Sequence, residues 1–426
     1  MTAMQTFVIV GAGLAGAKAA GGLRTEGFEG RIVLIGEEAE RPYERPPLSK
    51  EYLQGKSGKE KIYVHPEAWY RDHDVEIRLE SQVIALDRSL RQVRLHGGEQ
   101  IAYDQLLLST GSSPRRLRTP GADLDGVLYL RKVQDCEAIK AAFASARQVA
   151  IIGAGWIGLE TAAAARAANC DVTLLETAKL PLLGVLGSEL AEFYASLHVE
   201  HGVDLRTGVE VAEIMGVKQR AGGVRLADGS QIDADAVVVG VGITPNTELA
   251  EMAGLTIDNG VLVDEYLRSS DPKVFAAGDV ANARYPGLGR HLRLEHWSAA
   301  LRQGPVAAAN MVGRATAYDQ VPYFYSDQYD VGMEYWGYVE GGKYDRVVFR
   351  GDVGKREFIA FWVRDGRVLA GMAVNTWKLG DAIPALVRSG QAIDAARLTD
   401  PDVALDSLIR PEPRDADVAY GAGLGS

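Results

Sequence analysis

The stretch Thr6 to Glu37, TFVIVGAGLAGAKAAGGLRTEGFEGRIVLIGE, decides how this chain is read. Phe7–Val10 is a short apolar, β-branched run of the kind that makes a buried strand. Gly11, Gly13 and Gly16 follow as G-x-G-x-x-G and open an Ala-rich helix. A second strand signal, Ile32–Ile35, ends at Glu37. Strand, glycine turn, helix and strand in this order predict a dinucleotide site. The first glycine permits the tight turn, the second lets backbone approach a pyrophosphate, and the third lets helix and strand pack closely. The helix N-terminus offers phosphate its unpaired N–H groups and the positive end of its dipole. Glu37, about twenty residues further on, can accept hydrogen bonds from a ribose.

The arrangement recurs. Gln148–Ile152 reads as a strand, Gly153, Gly155 and Gly158 repeat the glycines, and Thr161–Ala168 reads as a helix. Val172–Leu175 is the next strand and Glu176 its acid. Two such units predict two dinucleotides. One held permanently and one exchanged is how a flavoenzyme oxidises a nicotinamide.

Bulk properties narrow the class. The 426 residues exceed one typical core and predict two or three domains. Charged residues at 24% and hydrophobic ones at 47% suit a soluble globular enzyme. No run of about eighteen apolar residues occurs, so no membrane span is expected. The first strand begins almost at once, leaving no room for a signal peptide and predicting a cytoplasmic protein. A net charge of −11 argues against general nucleic-acid binding, which needs a basic footprint. Cys136 and Cys170 lie far apart in sequence and read as small buried hydrophobes, with neither a disulfide framework nor a local redox dithiol. No metal site is predicted.

After Glu37 comes the loop ERPYERPPLSKEYL. Consecutive prolines stiffen it and argue against a helix there. A rigid loop bearing Arg45 and Lys50 beside a phosphate site suits fixed contacts with a cofactor. Val75–Leu107 alternates in short runs, as β-hairpin additions would. Tyr103–Thr110 reads as a strand, Asp135–Ala146 and Ser188–His201 as helices, and Val203–Val211, Gly223–Leu226 and Gln231–Gly240 as strands. Past Val321, strands around Val331–Val339, Asp345–Arg350, Glu357–Val363 and Val368–Ala373 precede late helices at Asp381–Arg388 and Val403–Leu408.

GAGLAG, PYERPPLSK, the second GAGWIGLE, VFAAGDVA and YSDQ, in this order, resemble the FAD-dependent ferredoxin reductases. These serve bacterial cytochrome P450s and aromatic-ring dioxygenases and share the glutathione-reductase fold. The resemblance runs to about Arg410. It implies an α/β protein with two Rossmann-like dinucleotide-binding domains and a C-terminal α+β domain with an antiparallel sheet. An FAD domain is expected at 1–115 and 243–320, an NAD domain at 116–242, an interface domain at 321–410 and a flexible tail at 411–426.

The resemblance also implies the site. FAD contacts are expected from Gly11, Gly13, Leu14, Ala15 and Gly16, from Glu37, and from Arg45, Pro46 and Lys50. Thr110, Gly111 and Arg115 correspond to a turn near the cofactor where the chain leaves the FAD domain, and Gly242 to the return crossing. Gly278 and Asp279 reach the ribityl chain or backbone near the pyrophosphate. Glu295, His296 and Trp297 precede a helix that Gly304-Pro305 is expected to kink and whose N-terminus points at the flavin pyrimidine. His296 reads equally as a flavin contact or a structural residue. Gly153, Gly155, Ile157 and Gly158 are expected to bind NADH. Glu160 reads as reaching the nicotinamide carboxamide, with a helix-dipole carboxylate as the alternative. Glu176 favours NADH, since it can bond both ribose hydroxyls and would repel the 2′-phosphate of NADPH. Tyr325 stands in Y-S-D-Q where most relatives have W-S-D-Q, which keeps a ring near the isoalloxazine but shrinks its face.

Hydride transfer from NADH to flavin N5 needs close parallel stacking more than any acid or base. Lys50, Glu160 and Tyr325 are the expected catalytic residues, with Lys50 near N5 and paired with Glu160. Disulfide reductases of this fold carry a cysteine pair in the helix after the first motif. Related peroxidases and oxidases carry one cysteine in the loop that here reads PYERPPLSK. This chain has neither. Electrons are therefore expected to leave the flavin singly to an external one-electron acceptor, and the resemblance implies that this is a [2Fe–2S] ferredoxin that feeds a cytochrome P450 or dioxygenase. Arg284, Arg290, Arg293 and Arg302 are the candidate docking charges for an acidic ferredoxin. FAD is expected to be non-covalent, and the protein a monomer or homodimer. The alternatives are an NADH oxidase or a rubredoxin or quinone reductase of the same fold, and, in another class, a redox-sensing flavoprotein like apoptosis-inducing factor.

Overall fold

The computed structural model describes residues 4–377 and 379–409; the tail expected at 411–426 lies outside them. The chain forms two compact units. One runs to Glu334 and includes Glu340–Gly342, and the other comprises Tyr335–Val339 and the described residues from Lys343 onward.

The first unit contains two five-stranded parallel sheets with the same strand plan. In one, Thr6–Val10 is central, flanked by Arg31–Ile35 and then Val75–Arg78 on one side, and by Gln105–Leu108 and then Val274–Ala276 on the other. In the other, Gln148–Ile152 is central, with Asp171–Glu176 and Val203–Thr207 on one side and Ala236–Val239 and Val127–Tyr129 on the other. Strands covered on both faces must be apolar throughout, and Val8, Ile9, Leu106, Leu107, Ile151 and Val237 are fully buried. Each central strand runs into a glycine turn and a helix, Leu14–Thr25 and Trp156–Ala167.

Several expectations are corrected here. Pro46–Ser49 forms a single 3₁₀ turn, where a non-helical loop was expected, because prolines at the first positions of a helix lose no intrahelical hydrogen bond. Val75–Arg78 is the edge strand of the first parallel sheet; only Val83–Asp87, Gln92–Leu95 and Gln100–Ala102 form hairpins. The run Gln231–Gly240 divides into Gln231–Asp233, in an antiparallel three-stranded sheet, and Ala236–Val239, in the second parallel sheet. Asp235 marks the crossing, its carboxylate accepting the Arg147 and Gln148 N–H groups at 2.8 and 2.9 Å. Pro305, where a kink was expected, lies inside the Trp297–Met311 helix. This helix lies so close to Leu14–Thr25 that a Cβ on Gly304 would come within 2.5 Å of the Ala15 carbonyl oxygen.

The second unit has antiparallel strands Arg346–Asp352, Glu357–Arg364 and Arg367–Val374. Helices Ala382–Ser389 and Ala395–Thr399 share a core with them that includes Phe361, Val363, Ile383, Leu386 and Leu398.

Candidate functional site

The first glycine turn opens into a cavity of about 1030 Å³. It lies beyond the C-terminal ends of Thr6–Val10 and Gln105–Leu108, where the strand order reverses and ligands collect in such sheets. Gly11 has φ +112°, and a Cβ there would sit 2.1 Å from the Ser109 carbonyl oxygen, so only glycine makes this turn. A Cβ on Gly16 would sit 2.1 Å from the Gly11 oxygen, and this glycine packs behind the turn rather than on the wall. Gly13 faces open space and leaves room for a ligand against backbone. Leu14, Ala15, Thr110, Gly111 and Gly278 line the same wall.

Glu37 lies at one end of the cavity and takes an ion pair from Lys132 at 2.8 Å. Further in, Arg45 pairs with Glu38 at 3.2 Å and donates to the Arg131 carbonyl. The Arg131 Nη2 lies 2.9 Å from Asp279 Oδ2, which also accepts from the Ser112 hydroxyl at 2.7 Å. Burial alone would raise the Asp279 carboxyl, but the guanidinium of Arg131, the Ser112 hydroxyl and the charge of Arg45 hold it below the ordinary carboxylate value. Asp279 is thus an anchored carboxylate that fixes Arg131 on the cavity wall.

At the inner end stand Pro46, Glu295, His296, Trp297 and Tyr325. Glu295 pairs with Arg293 at 2.6 Å. The ring of His296 packs tilted against Phe324 at 4.7 Å, and burial pushes its imidazolium down to about 4, so it is neutral at pH 7. Trp297 meets Tyr325 edge to face at 5.8 Å. The Trp297–Met311 helix begins here, its N-terminus at the cavity.

Lys50 and Glu160 complete this end. Lys50 Nζ lies 2.7 Å from Glu160 Oε1 and 5.4 Å from the centre of the Tyr325 ring. Both charged side chains are almost fully buried, at 8% and 4% exposure. Glu160 also accepts from the Ser326 hydroxyl at 2.6 Å and from the Ser49 hydroxyl. Its carboxylate is therefore held by an ammonium and two hydroxyls. Ser49 and Ser326 lie inside the stretches PPLSK and YSDQ, but nothing in either stretch says that both hydroxyls converge on a residue of the Trp156–Ala167 helix.

The second turn repeats the first. Gly153 has φ +99°, and a Cβ on Gly158 would lie 1.9 Å from the Gly153 oxygen. Gly155 faces open space, as Gly13 does. Only Trp156, Ile157 and Glu160 of this segment reach the large cavity; Gly153, Gly155, Gly158 and Glu176 do not. Glu176 holds the turn itself, its Oε2 accepting the Ala154 N–H at 2.7 Å and its Oε1 the Ala178 N–H at 2.8 Å. Gly242 and Arg115 also lie off the cavity wall, at the crossing where Ser112–Pro114 pairs with Ile243–Pro245. Arg115 Nε donates to the Ile243 carbonyl, and it is Arg116 that lines the cavity. Arg131, Glu38, Ser112 and the Ser81–Ile84 segment are wall or anchoring residues that no motif marked.

The residues present fit FAD. The glycine backbone leaves space for a pyrophosphate, and Arg131 Nε and His296 Nδ1 are buried polar atoms with no hydrogen-bond partner among the described residues. Cys136 and Cys170 are buried and do not line the cavity. Among the described residues no group of His, Cys, Asp and Glu side chains could hold a metal ion, and no helix is long and apolar enough to cross a membrane.

Residues 5–304 match the pyridine nucleotide-disulphide oxidoreductase family, and residues 323–409 a reductase C-terminal family. Rhodocoxin reductase of Rhodococcus erythropolis is 38% identical over 422 residues, spanning 99% of this chain and 98% of that protein. The ferredoxin–NAD(+) reductase component of the anthranilate 1,2-dioxygenase system of Burkholderia cepacia is 40% identical over 410 residues, spanning 95% and 99%. The crystal structure of the covalent putidaredoxin reductase–putidaredoxin complex matches with a TM-score of 0.90 at 36% identity, covering 95% of this chain and 98% of that one. Fold and site together define a two-dinucleotide oxidoreductase. The chain belongs to the pyridine nucleotide-disulphide oxidoreductase family and, within it, to the ferredoxin reductases.

Proposed function

We propose that this chain takes a hydride from NADH onto a non-covalently held FAD and passes the electrons singly to a [2Fe–2S] ferredoxin serving a cytochrome P450 or ring-hydroxylating oxygenase. The observation that carries the reading is the inner end of the cavity, where a buried Lys50–Glu160 pair stands and no cysteine does. A wall without a thiol has no internal acceptor for a hydride pair, so the electrons go outward. When bound, the FAD supplies the hydride-to-single-electron conversion that no side chain of the site can perform.

The chain's own groups do the rest. The backbone at Gly13 and the N-terminus of the Leu14–Thr25 helix receive the pyrophosphate. Asp279 holds Arg131 toward it. The N-terminus of the Trp297–Met311 helix stabilises negative charge on the flavin pyrimidine. Trp297 and Tyr325 shield the ring from water, and Lys50 and Glu160 position the nicotinamide. Residues 1–115 and 243–320 form the FAD domain, 116–242 the NAD domain and 321–410 the interface domain in this reading. Glu176 confers preference for NADH, and the protein works in the cytoplasm. The named relatives act with rhodocoxin and with the ferredoxin of a dioxygenase system, which supports a ferredoxin as partner.

The test is anaerobic stopped-flow reduction of the FAD-loaded protein by NADH, followed by mixing with a [2Fe–2S] ferredoxin and cytochrome c. Rapid flavin bleaching with cytochrome c reduction only when ferredoxin is present is the expected result. Bleaching followed by reoxidation only with O₂ or a quinone would move the protein to the oxidase or quinone reductase branch. An NADPH kcat/KM equal to that for NADH would remove the role given to Glu176.

A further inference from the structure

Behind Glu160 runs a chain of buried polar groups that the reading above does not use. Ser326 donates to Glu160 Oε1 at 2.6 Å, and Gln328 Nε2 donates to Ser326 Oγ at 3.1 Å. Gln328 Oε1 lies 2.8 Å from His198 Nε2, and the Tyr329 hydroxyl lies 3.2 Å from His198 Nδ1. The ring of Tyr329 stacks on His201 at 3.8 Å. Ser326, Gln328 and His198 are each 2% exposed or less.

Local structure explains how they meet. In the strand Tyr323–Gln328 successive side chains alternate between faces, so Ser326 and Gln328 share one and Tyr325 takes the other, toward the cavity. His198 lies on the buried face of the Ser188–Glu200 helix, one turn after Tyr194, among Leu190, Ala191 and Leu197. An apolar side chain would satisfy that face. The histidine brings two polar nitrogens into it, and both find partners.

The chain has a direction. A serine hydroxyl can donate or accept, and only a donor already pointing at its oxygen compels it to give its proton onward. Gln328 Nε2 is that donor. The Gln328 amide could itself turn over, unless a donor faces its oxygen, and His198 Nε2–H is that donor. The direction is set from the Glu160 end: a carboxylate only accepts, so Ser326 donates to it, Gln328 Nε2 donates to Ser326, and the Gln328 oxygen faces a ring nitrogen that must carry the proton. In a neutral ring protonated on Nε2, Nδ1 is the acceptor, and the Tyr329 hydroxyl at 3.2 Å is its donor. Burial pushes the His198 imidazolium down to about 4, so the ring remains neutral and keeps one acceptor nitrogen near pH 7.

We propose that His198, acting through Gln328 and Ser326, is a positioning residue that fixes the Glu160 carboxylate toward Lys50 and so sets the geometry in which NADH reduces the flavin. A buried ion pair needs its remaining lone pairs satisfied to hold one arrangement. With the chain intact, Ser326 can only donate to Glu160. With His198 removed, Gln328 can turn its oxygen toward Ser326, whose proton then points away from Glu160. The consequence for NADH rests on the ferredoxin-reductase reading; the hydrogen-bond chain does not.

Two measurements test it on the FAD-loaded protein. The first is the ¹⁵N spectrum of the His198 imidazole near pH 7. A proton on Nε2 is expected, and a proton on Nδ1 would overturn the chain whatever the protein reduces. The second is anaerobic stopped flow with saturating NADH. His198→Leu should slow the limiting rate of flavin bleaching about tenfold, in proportion to one lost hydrogen bond. Its FAD content should stay normal, and after dithionite reduction its electron delivery to ferredoxin should match wild type. His198→Gln returns an amide N–H to the place of Nε2 and should recover the rate to within about threefold of wild type. Wild-type bleaching by His198→Leu, or a His198→Gln variant as slow as His198→Leu, would overturn the positioning role. Failure of the wild type to be bleached by NADH would instead strike the ferredoxin-reductase reading, with the ¹⁵N result still deciding the chain.

Discussion

Lys50 and Glu160 stand 2.7 Å apart with almost no exposure, so each charge depends on the other. Removing one partner of such a pair costs about 3–5 kcal/mol, whereas removing both costs far less. Lys50→Met should accordingly destabilise the protein by about 3 kcal/mol, and Lys50→Met with Glu160→Gln should recover most of that. Urea unfolding of the four members of this cycle measures it, and additive losses would show that the pair is not coupled. Asp279 gives a pH dependence of definite sign. Its folded carboxyl is held below the ordinary 3.8, so its contribution is complete above that value and is lost as the pH falls through the depressed one. The stability gap between wild type and Asp279→Asn should be constant above about pH 5 and shrink below about pH 4. A gap that widens in acid would refute the assignment. Neither contact is visible in a local stretch of sequence, because Arg131 and Asp279 lie 148 positions apart.

The two strand–turn–helix elements were the most legible features of the chain, since a turn at positive φ, or one in which a Cβ would fall about 2 Å from a carbonyl oxygen, excludes every residue but glycine. The structure separates the glycines by role. Gly16→Ala and Gly158→Ala each drive a methyl into a carbonyl oxygen, at 2.1 and 1.9 Å. Overpacking of this kind costs about 1–3 kcal/mol, and the two variants should differ in what they lose. Gly16→Ala should lose visible flavin absorbance on purification, and Gly158→Ala should keep it but no longer be bleached by NADH. A Cβ on Gly13 meets nothing within 4 Å, so FAD-free Gly13→Ala should melt like FAD-free wild type while binding FAD more weakly. Where sequence reading erred, the position of a residue in its element decided: Pro46 and Pro47 start a 3₁₀ turn because at its first positions they cost no intrahelical hydrogen bond.

At the scale of the whole molecule, a net charge of −11 leaves an acidic ferredoxin dependent on local basic groups. Of the four arginines offered for docking, Arg293 is corrected, because its side chain is 8% exposed and bound to Glu295. Arg284 and Arg290 are drawn toward Glu265 and Glu340. Arg302 is exposed and bonded only to the neutral Gln320 among the contacts described, which makes it the best remaining candidate. Arg302→Glu should raise the ferredoxin KM several-fold at low salt, with NADH bleaching of the flavin unchanged and the difference fading as salt rises. An unchanged KM would clear it. The paired dinucleotide units and the residues of the glycine turns were legible in the sequence because they follow from short-range sterics and from strands apolar on both faces, and the order of the motifs carried the resemblance to the family. The packed fold was needed to bring Ser49 and Ser326 onto the expected Lys50–Glu160 pair, and to bring a histidine on a distant helix into the polar chain behind them. A buried charge recruits partners by proximity in space, and proximity between residues more than a hundred positions apart is fixed only when the sheets and helices have packed.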